Sequence, residues 1–420
     1  MTQGYTTRVV STIREIEFGE NATDAFSRVR VSQPSTLFSV QCQYNSEPLI
    51  MGYGNTGDGD APAFDSAKRM VLLSVNSGAS GGLSWAQSFE YIPYQPGKSQ
   101  LIFITGLMGT AVEYAVVRCG IGDNSNGIFY EQNGIGGLNF VITSSTSGTP
   151  IDNSVSQSYW NIDPLDGTGP SGIILDPTKV HILVIDCQYL GMGQVRMGFD
   201  INGKIIWAHH FHHANAITTP YMQTLALPVR MQINATSGLG TEKNAYFKCA
   251  SVSSEGGFSE DYGYGFAAEA TGTAGSSVRA HIGSIRPATT FNSLTNRIKL
   301  QLDSVDLIVT GANPVLFEMC LGVSYSVAPG FSAANATYSA SEIGSGGTYD
   351  SLTGGVVIGS AYVAASTQVK NSVTRSVRSK YPLTLDRSGA VRSLGTLAVL
   401  GTGIGGTSAC RVVFNWQEIR

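Results

Sequence analysis

The chain has 420 residues, a formal net charge of −4 and only 13% charged residues, with 50 glycines among them. That is long enough for two or three domains, and about half the usual share of charge. So little Glu, Lys and Arg disfavours long solvated helices, and a negative chain without a basic run excludes a duplex nucleic-acid groove. No apolar run reaches the roughly 20 residues of a membrane helix, and Met1-Thr2-Gln3-Gly4-Tyr5 has no signal-peptide character. The six cysteines, Cys42, Cys119, Cys187, Cys249, Cys320 and Cys410, are scattered without a C-x-x-C pair. They read as reduced, buried small hydrophobes.

In chain order, residues 1–96 read as an irregular N-terminal arm with a few strands, among them the apolar run Arg69–Val75. Residues 97–254 read as a β-sandwich. Its strands are expected at Gln100–Thr105, Ala111–Ile121, Gly127–Gln132, Leu138–Ser144, Val180–Tyr189, Gln194–Ile201, Lys204–His212, Pro228–Ala235 and Ala245–Ser253. The clearest element is a hairpin from Val195 to Trp207 turning at Asn202-Gly203, where both turn residues need positive φ. Residues 255–274, rich in Gly and Ala, read as a linker. A second, smaller sandwich is expected over 275–420, with strands at Arg297–Leu302, Asp306–Val309, Val315–Leu321, Gly355–Ala364, Ser393–Leu400 and Ala409–Trp416. The fold class is therefore all-β: two sandwiches, jelly-roll or concanavalin-like, behind an irregular arm. The basic group from Lys370 through Arg375, Arg378 and Lys380 reads as a solvated loop.

Four of the six histidines fall between His209 and His213. On a regular strand Ala208, His210 and His212 would face one way, and Trp207, His209, Phe211 and His213 the other. His210 and His212 are the pair that could share a metal ion. The alternative is imidazoles hydrogen-bonded to loop backbone, at a subunit contact that protonation near pH ~6.5 would loosen. Asp163, Asp166 and Asp176 could supply a glycosidase pair, although Asp in a Pro- and Gly-rich loop is more often a turn former. Asp123-Asn124-Ser125-Asn126-Gly127 has the oxygens of a calcium loop but one carboxylate. Gly78-Ala79-Ser80-Gly81-Gly82 matches the letters of a nucleophile elbow without an oxyanion loop elsewhere. Tyr91, Tyr94, Trp160, Trp207 and Tyr221 form either a sugar-binding platform or core. No cofactor and no catalytic residue is expected, and the chain is not read as an enzyme.

Several segments resemble a widespread family of structural proteins of tailed bacteriophages and giant viruses. They are Asp24-Ala25-Phe26-Ser27-Arg28-Val29-Arg30-Val31-Ser32, Asn126-Gly127-Ile128-Phe129, and the block Trp160-Asn161-Ile162-Asp163-Pro164-Leu165-Asp166-Gly167-Thr168-Gly169-Pro170-Ser171-Gly172. Tyr189–Arg196, His212-His213-Ala214-Asn215, Leu227-Pro228-Val229-Arg230 and Asn415-Trp416-Gln417-Glu418 continue the likeness; the doubled histidine His209-His210 departs from it. The resemblance implies a virion component assembled in the host cytoplasm: a capsid decoration, spike, fibre or tail-associated protein. Its partners would be copies of itself, with a trimer expected, and other capsid or tail proteins. The alternative is a lectin-like adhesin that binds host surface glycans. Trp160, Trp207, His209 and His213 are the expected glycan or interface residues.

Overall fold

The computed structural model describes residues 33–134, 137–259, 263–325, 327–345, 353–365, 371–373 and 382–420. Among these residues there is no α-helix, and so no helix long and apolar enough to cross a membrane. The resembling segment Asp24–Ser32 and the basic residues Lys370, Arg375, Arg378 and Lys380 lie outside the described residues.

The N-terminal part of the chain supplies β1 (Ser35–Gln41), β2 (Met51–Thr56), β3 (Ala63–Asp65), β4 (Met70–Val75), β5 (Leu83–Ser88), β6 (Ser99–Leu107), β7 (Ala115–Gly122) and β8 (Gly127–Asn133). It continues with β9 (Gly137–Ser144), β10 (Ile151–Ser156), β11 (Val180–Gln188), β12 (Val195–Ile201), β13 (Lys204–Phe211), β14 (Val229–Ala235) and β15 (Lys243–Ser254). One sheet runs β13-β12-β11-β6-β15-β4-β3, with β1 also on β15; the other runs β10-β9-β8-β7-β14-β5-β2. The alternation of β6 (Gln100, Ile102 and Ile104 in; Leu101 and Phe103 out) shows why the two faces differ. The inward residues of both sheets form one core, with Phe140 stacked on Trp160 at 4.2 Å and Tyr130 edge-on to Phe199 at 5.1 Å. Each such ring stabilises the sandwich by about 1.5–3 kcal/mol of apolar burial. The Phe129 ring lies across two glycines: a Cβ on Gly122 or Gly127 would meet it at 2.3 or 2.2 Å.

The expected boundary at residue 97 falls inside this core. β5 and β6 belong to opposite sheets around it, and residues 35–88 give five strands rather than an arm. Short Gly-containing strands such as Met51-Gly52-Tyr53-Gly54-Asn55-Thr56 carry almost no alternation of their own. They take their conformation from the partner strand, here β5.

The C-terminal part supplies β16 (Tyr264–Ser276), β17 (Ala280–Pro287), β18 (Thr290–Phe291), β19 (Leu294–Thr295), β20 (Lys299–Val309) and β21 (Val315–Ser324). These are followed by β22 (Gly330–Ala333), β23 (Ser341–Ser345), β24 (Thr353–Val363), β25 (Asn371–Val373), β26 (Leu397–Gly403) and β27 (Ser408–Ile419). One layer is β16-β27-β20-β25 and the other is β22-β23-β17-β26-β21-β24, joined by a short parallel pairing of β16 with β26. Val412, Phe414 and Trp416 of β27 point into the core between them.

The expected linker is largely β16, a 13-residue strand laddered along β27 from Tyr264 to Ala274. Its small residues answer to close packing, since a Cβ on Gly272 would lie 2.8 Å from the His281 carbonyl. The two runs expected at Arg297–Leu302 and Asp306–Val309 are one strand, β20, with a bulge between Leu302 and Ser304.

The two cores meet along a seam of cations on aromatic rings. Arg297 sits over Tyr91 at 4.6 Å, Arg387 over Trp85 at 4.8 Å and Arg392 over Phe89 at 4.1 Å. Lys299 Nζ pairs with Glu90 Oε1 at 2.5 Å.

Candidate functional site: the histidine strand and the cleft beside it

β13 is an edge strand, and its geometry is set by a bulge at Ala208. Met197 pairs with His209 but Gly198 pairs with Trp207, which leaves Ala208 as the extra residue. Arg196 and Gly198 lie on one face of β12, so their partners His210 and Trp207 share a face as well. The alternation expected for a regular strand is thereby corrected: Trp207 joins His210 and His212 outside, while His209, Phe211 and His213 are buried. On the outer face the Trp207 and His210 rings are 6.4 Å apart, and those of His210 and His212 are 6.0 Å apart. The Arg196 guanidinium lies 4.8 Å over Trp207 and pairs with Asp186.

The Trp160–Gly172 block closes the open edge of β13. The carbonyl of the bulge residue Ala208 accepts the Ile162 and Asp163 N–H groups, both at 3.1 Å. The Asn161 side chain clips His210, accepting its N–H and donating to its carbonyl, each at 2.9 Å. The Asn161 backbone N–H donates to His209 Nδ1 at 3.2 Å, which makes Nδ1 the lone-pair nitrogen. Burial and the neighbouring imidazoles His210 and His212 push His209 down to about 4. His213 Nδ1 lies 2.8 Å from the Gly193 carbonyl and therefore carries its proton there; its ring stacks on Tyr221 at 4.2 Å. Burial lowers His213 too, and burial followed by Arg196 lowers His210. His210 Nδ1 lies 3.2 Å from Gln194 Nε2.

His210 and His212 are thus together on one face. Among the described residues, however, no group of three or more His, Cys, Asp or Glu is placed to hold a metal ion. His209 and His213 are turned inward on backbone partners. Trp160 is 4% exposed, and its Nε1 donates to the Val155 carbonyl at 3.2 Å. It is a core residue, as are Tyr91 and Tyr221; of the expected aromatic platform, Tyr94 and Trp207 keep partial exposure.

The acidic candidates are engaged in turns. Asp163 is buried and accepts the Leu165 N–H at 2.9 Å and the Ser171 N–H at 2.8 Å. Asp166 and Asp176 each accept the N–H and hydroxyl of the threonine two residues on, at 2.9 and 2.6 Å. Asp123 Oδ1 likewise accepts the Ser125 and Asn126 N–H groups at 2.7 and 2.8 Å. Ser80 lies in the turn before β5, so a strand follows it and not the helix that a nucleophile elbow needs. All six cysteines are free, five of them buried and Cys249 half-buried. Burial pushes the Cys119 thiol up to about 12.

Beyond the end of β13 lies a cleft of about 270 Å³, of whose lining His213 and Tyr221 were singled out in the sequence. The stacked His213–Tyr221 pair lines it together with Ile151, Ile217, Pro220, Ser144 and Asn153, and among the described residues no Asp, Glu, Lys or Arg contributes. One of its walls is β10, a polar strand that among the described residues pairs with β9 alone. Arg196, Asp186 and Asn161 were also unmarked, because their roles follow from the Ala208 bulge, which no local motif announces.

No protein-family model matches the chain, and no curated protein matches its sequence. Solved structures align with just over half of it. A protein of unknown function from Shewanella oneidensis MR-1 is 8% identical over 61% of this chain and 95% of its own, with a TM-score of 0.35. The Bacillus licheniformis beta-glucanase is 14% identical, covering 52% and 97%, at a TM-score of 0.33. A carbohydrate esterase of the Shiga toxin-encoding bacteriophage phi24B is 12% identical, covering 53% and 100%, at 0.31. Likenesses this distant carry no function over to this chain.

Proposed function

We propose that the chain is a structural component of a bacteriophage particle, joined to its neighbours by strand addition and without catalytic activity. One feature of the fold carries this reading. β24 is an 11-residue strand that, among the described residues, pairs on one side only, with β21. It contains no charged residue and no proline, and it exposes Val356, Val357 and Tyr362. Soluble monomers guard such edges with Lys, Pro or short length, because the open N–H and C=O groups template another strand. The β24 bulge at Ile358 aside, an edge of this length, without charge or proline among the described residues, suits a subunit that meets a second chain in its working state. Three copies, each offering β24 to a different edge of the next, would close a ring. Light scattering of the purified chain tests it: the wild type is expected as a trimer and Val357→Lys as a folded monomer. A wild type that stays monomeric at high concentration would overturn strand addition.

The cleft favours a second, compatible reading as a glycan-binding protein. Apolar side chains set among hydroxyl and amide groups suit the faces and edges of an uncharged sugar. Glycan-array binding that disappears with Asn153→Ala, while Trp207→Ala leaves it intact, would place sugar in the cleft rather than on the outer face of β13.

A further inference from the structure

The seam between the two cores holds more positive charge than its surroundings neutralise. Arg230 of β14 is 2% exposed. Its Nε donates to Gln87 Oε1 and its Nη1 to Asn124 Oδ1, both at 2.9 Å, and among the described residues its buried Nη2 has no partner. Arg387, from the C-terminal part of the chain, donates through Nη2 to the same Asn124 oxygen at 3.2 Å. Among the described residues its buried Nη1 also lacks a partner. Two guanidinium groups sharing one acceptor oxygen lie side by side, and they are close enough for Arg387 to help push Arg230 down to about 9, burial being the larger cause. Arg297 adds a third positive charge nearby, with both its Nη groups on the carbonyls of Asp386 and Arg387. Asp123 is the carboxylate that faces this group, and its Oδ1 is already taken by two backbone amides.

A buried donor left unmade costs about 1–3 kcal/mol, and more when it is charged. Two such donors on adjacent cations have one economical partner, an anion with several acceptor oxygens, for which the planar guanidinium is well matched. We propose that Arg230 and Arg387 form a binding site for a small oxyanion, of the phosphate or sulfate class, at the junction of the two sandwiches. The anion would take Arg230 Nη2 from one core and Arg387 Nη1 from the other, so its binding would hold the two together.

The test is thermal unfolding of the full chain in millimolar phosphate, sulfate or chloride at equal ionic strength, for the wild type, Arg387→Gln and Arg387→Lys. The variants separate site binding from general stabilisation by excluded salts, which acts on all of them alike. Saturating phosphate or sulfate is expected to raise the wild-type midpoint by about 5 °C over chloride. Arg387→Gln should lose that increment and Arg387→Lys keep part of it. Crystals soaked in selenate should show an anomalous peak between the two guanidinium groups. Equal responses in wild type and Arg387→Gln, or water alone at that position, would overturn the proposal; should Arg387→Gln fail to fold, the selenate map of the wild type decides it. Phosphate and sulfate responding differently would identify which oxyanion the site prefers.

Discussion

Protonating His209 would remove the lone pair that accepts the Asn161 N–H, and with it one tie between the Trp160 block and β13. Its folded pKa is about 4, against ~6.5 for a free imidazole, so between these values the unfolded chain binds more protons than the folded one. The stabilising contribution is therefore complete above pH ~6.5 and is lost as the pH falls towards 4. His210 and His213, also lowered, act in the same direction. The melting temperature is expected to fall through this window, and His209→Gln should flatten the slope. A wild-type slope unchanged in that variant would show that the strand does not depend on the neutral ring. Trp160 belongs to the same argument. It is stacked on Phe140 inside the core, so Trp160→Ala should cost about 3–5 kcal/mol of stability, read by denaturant unfolding. A near-neutral result would contradict its place in the core. The sequence grouped the histidines by face correctly but misplaced Trp207, because Ala208 gives no sign that it is a bulge.

Elements with strong local chemistry were readable in advance. The β12–β13 hairpin turns at Asn202 (φ 57°) and Gly203 (φ 79°), as the Asn-Gly pair requires. A side chain at Gly203 would meet open space, so Gly203→Ala isolates the backbone cost, expected at about 1–2 kcal/mol by chemical denaturation. Stability unchanged by that substitution would mean that the turn relaxes to another form. The strands from β6 to β15 were legible for the same reason, through alternation and turn residues; the exposed β10 was the exception. β16 was not legible, since Ala-Ala-Glu-Ala-Thr-Gly-Thr-Ala-Gly has low strand propensity and is held by the β-branched and aromatic residues of β27 opposite it. β2 and β3 escaped notice likewise, being short pieces laid on better-formed neighbours.

At the scale of the whole molecule the least legible feature is the seam, because Arg297, Arg387 and Arg392 lie far along the chain from the rings they cover. Arg392 also donates to the carbonyls of Leu49, Thr384 and Pro382, tying both cores to one side chain. Calorimetry of Arg392→Ala should show the two sandwiches melting more separately than in the wild type, whereas a single unchanged transition would deny the seam a coupling role. Assembly is the central claim, and cryo-electron microscopy of purified particles, with the chain identified by mass spectrometry, tests it most directly. The account predicts ordered copies on capsid or tail in which β24 is continued by a strand of a neighbouring subunit. Particles without the chain, or copies whose β24 edge faces solvent, would contradict it.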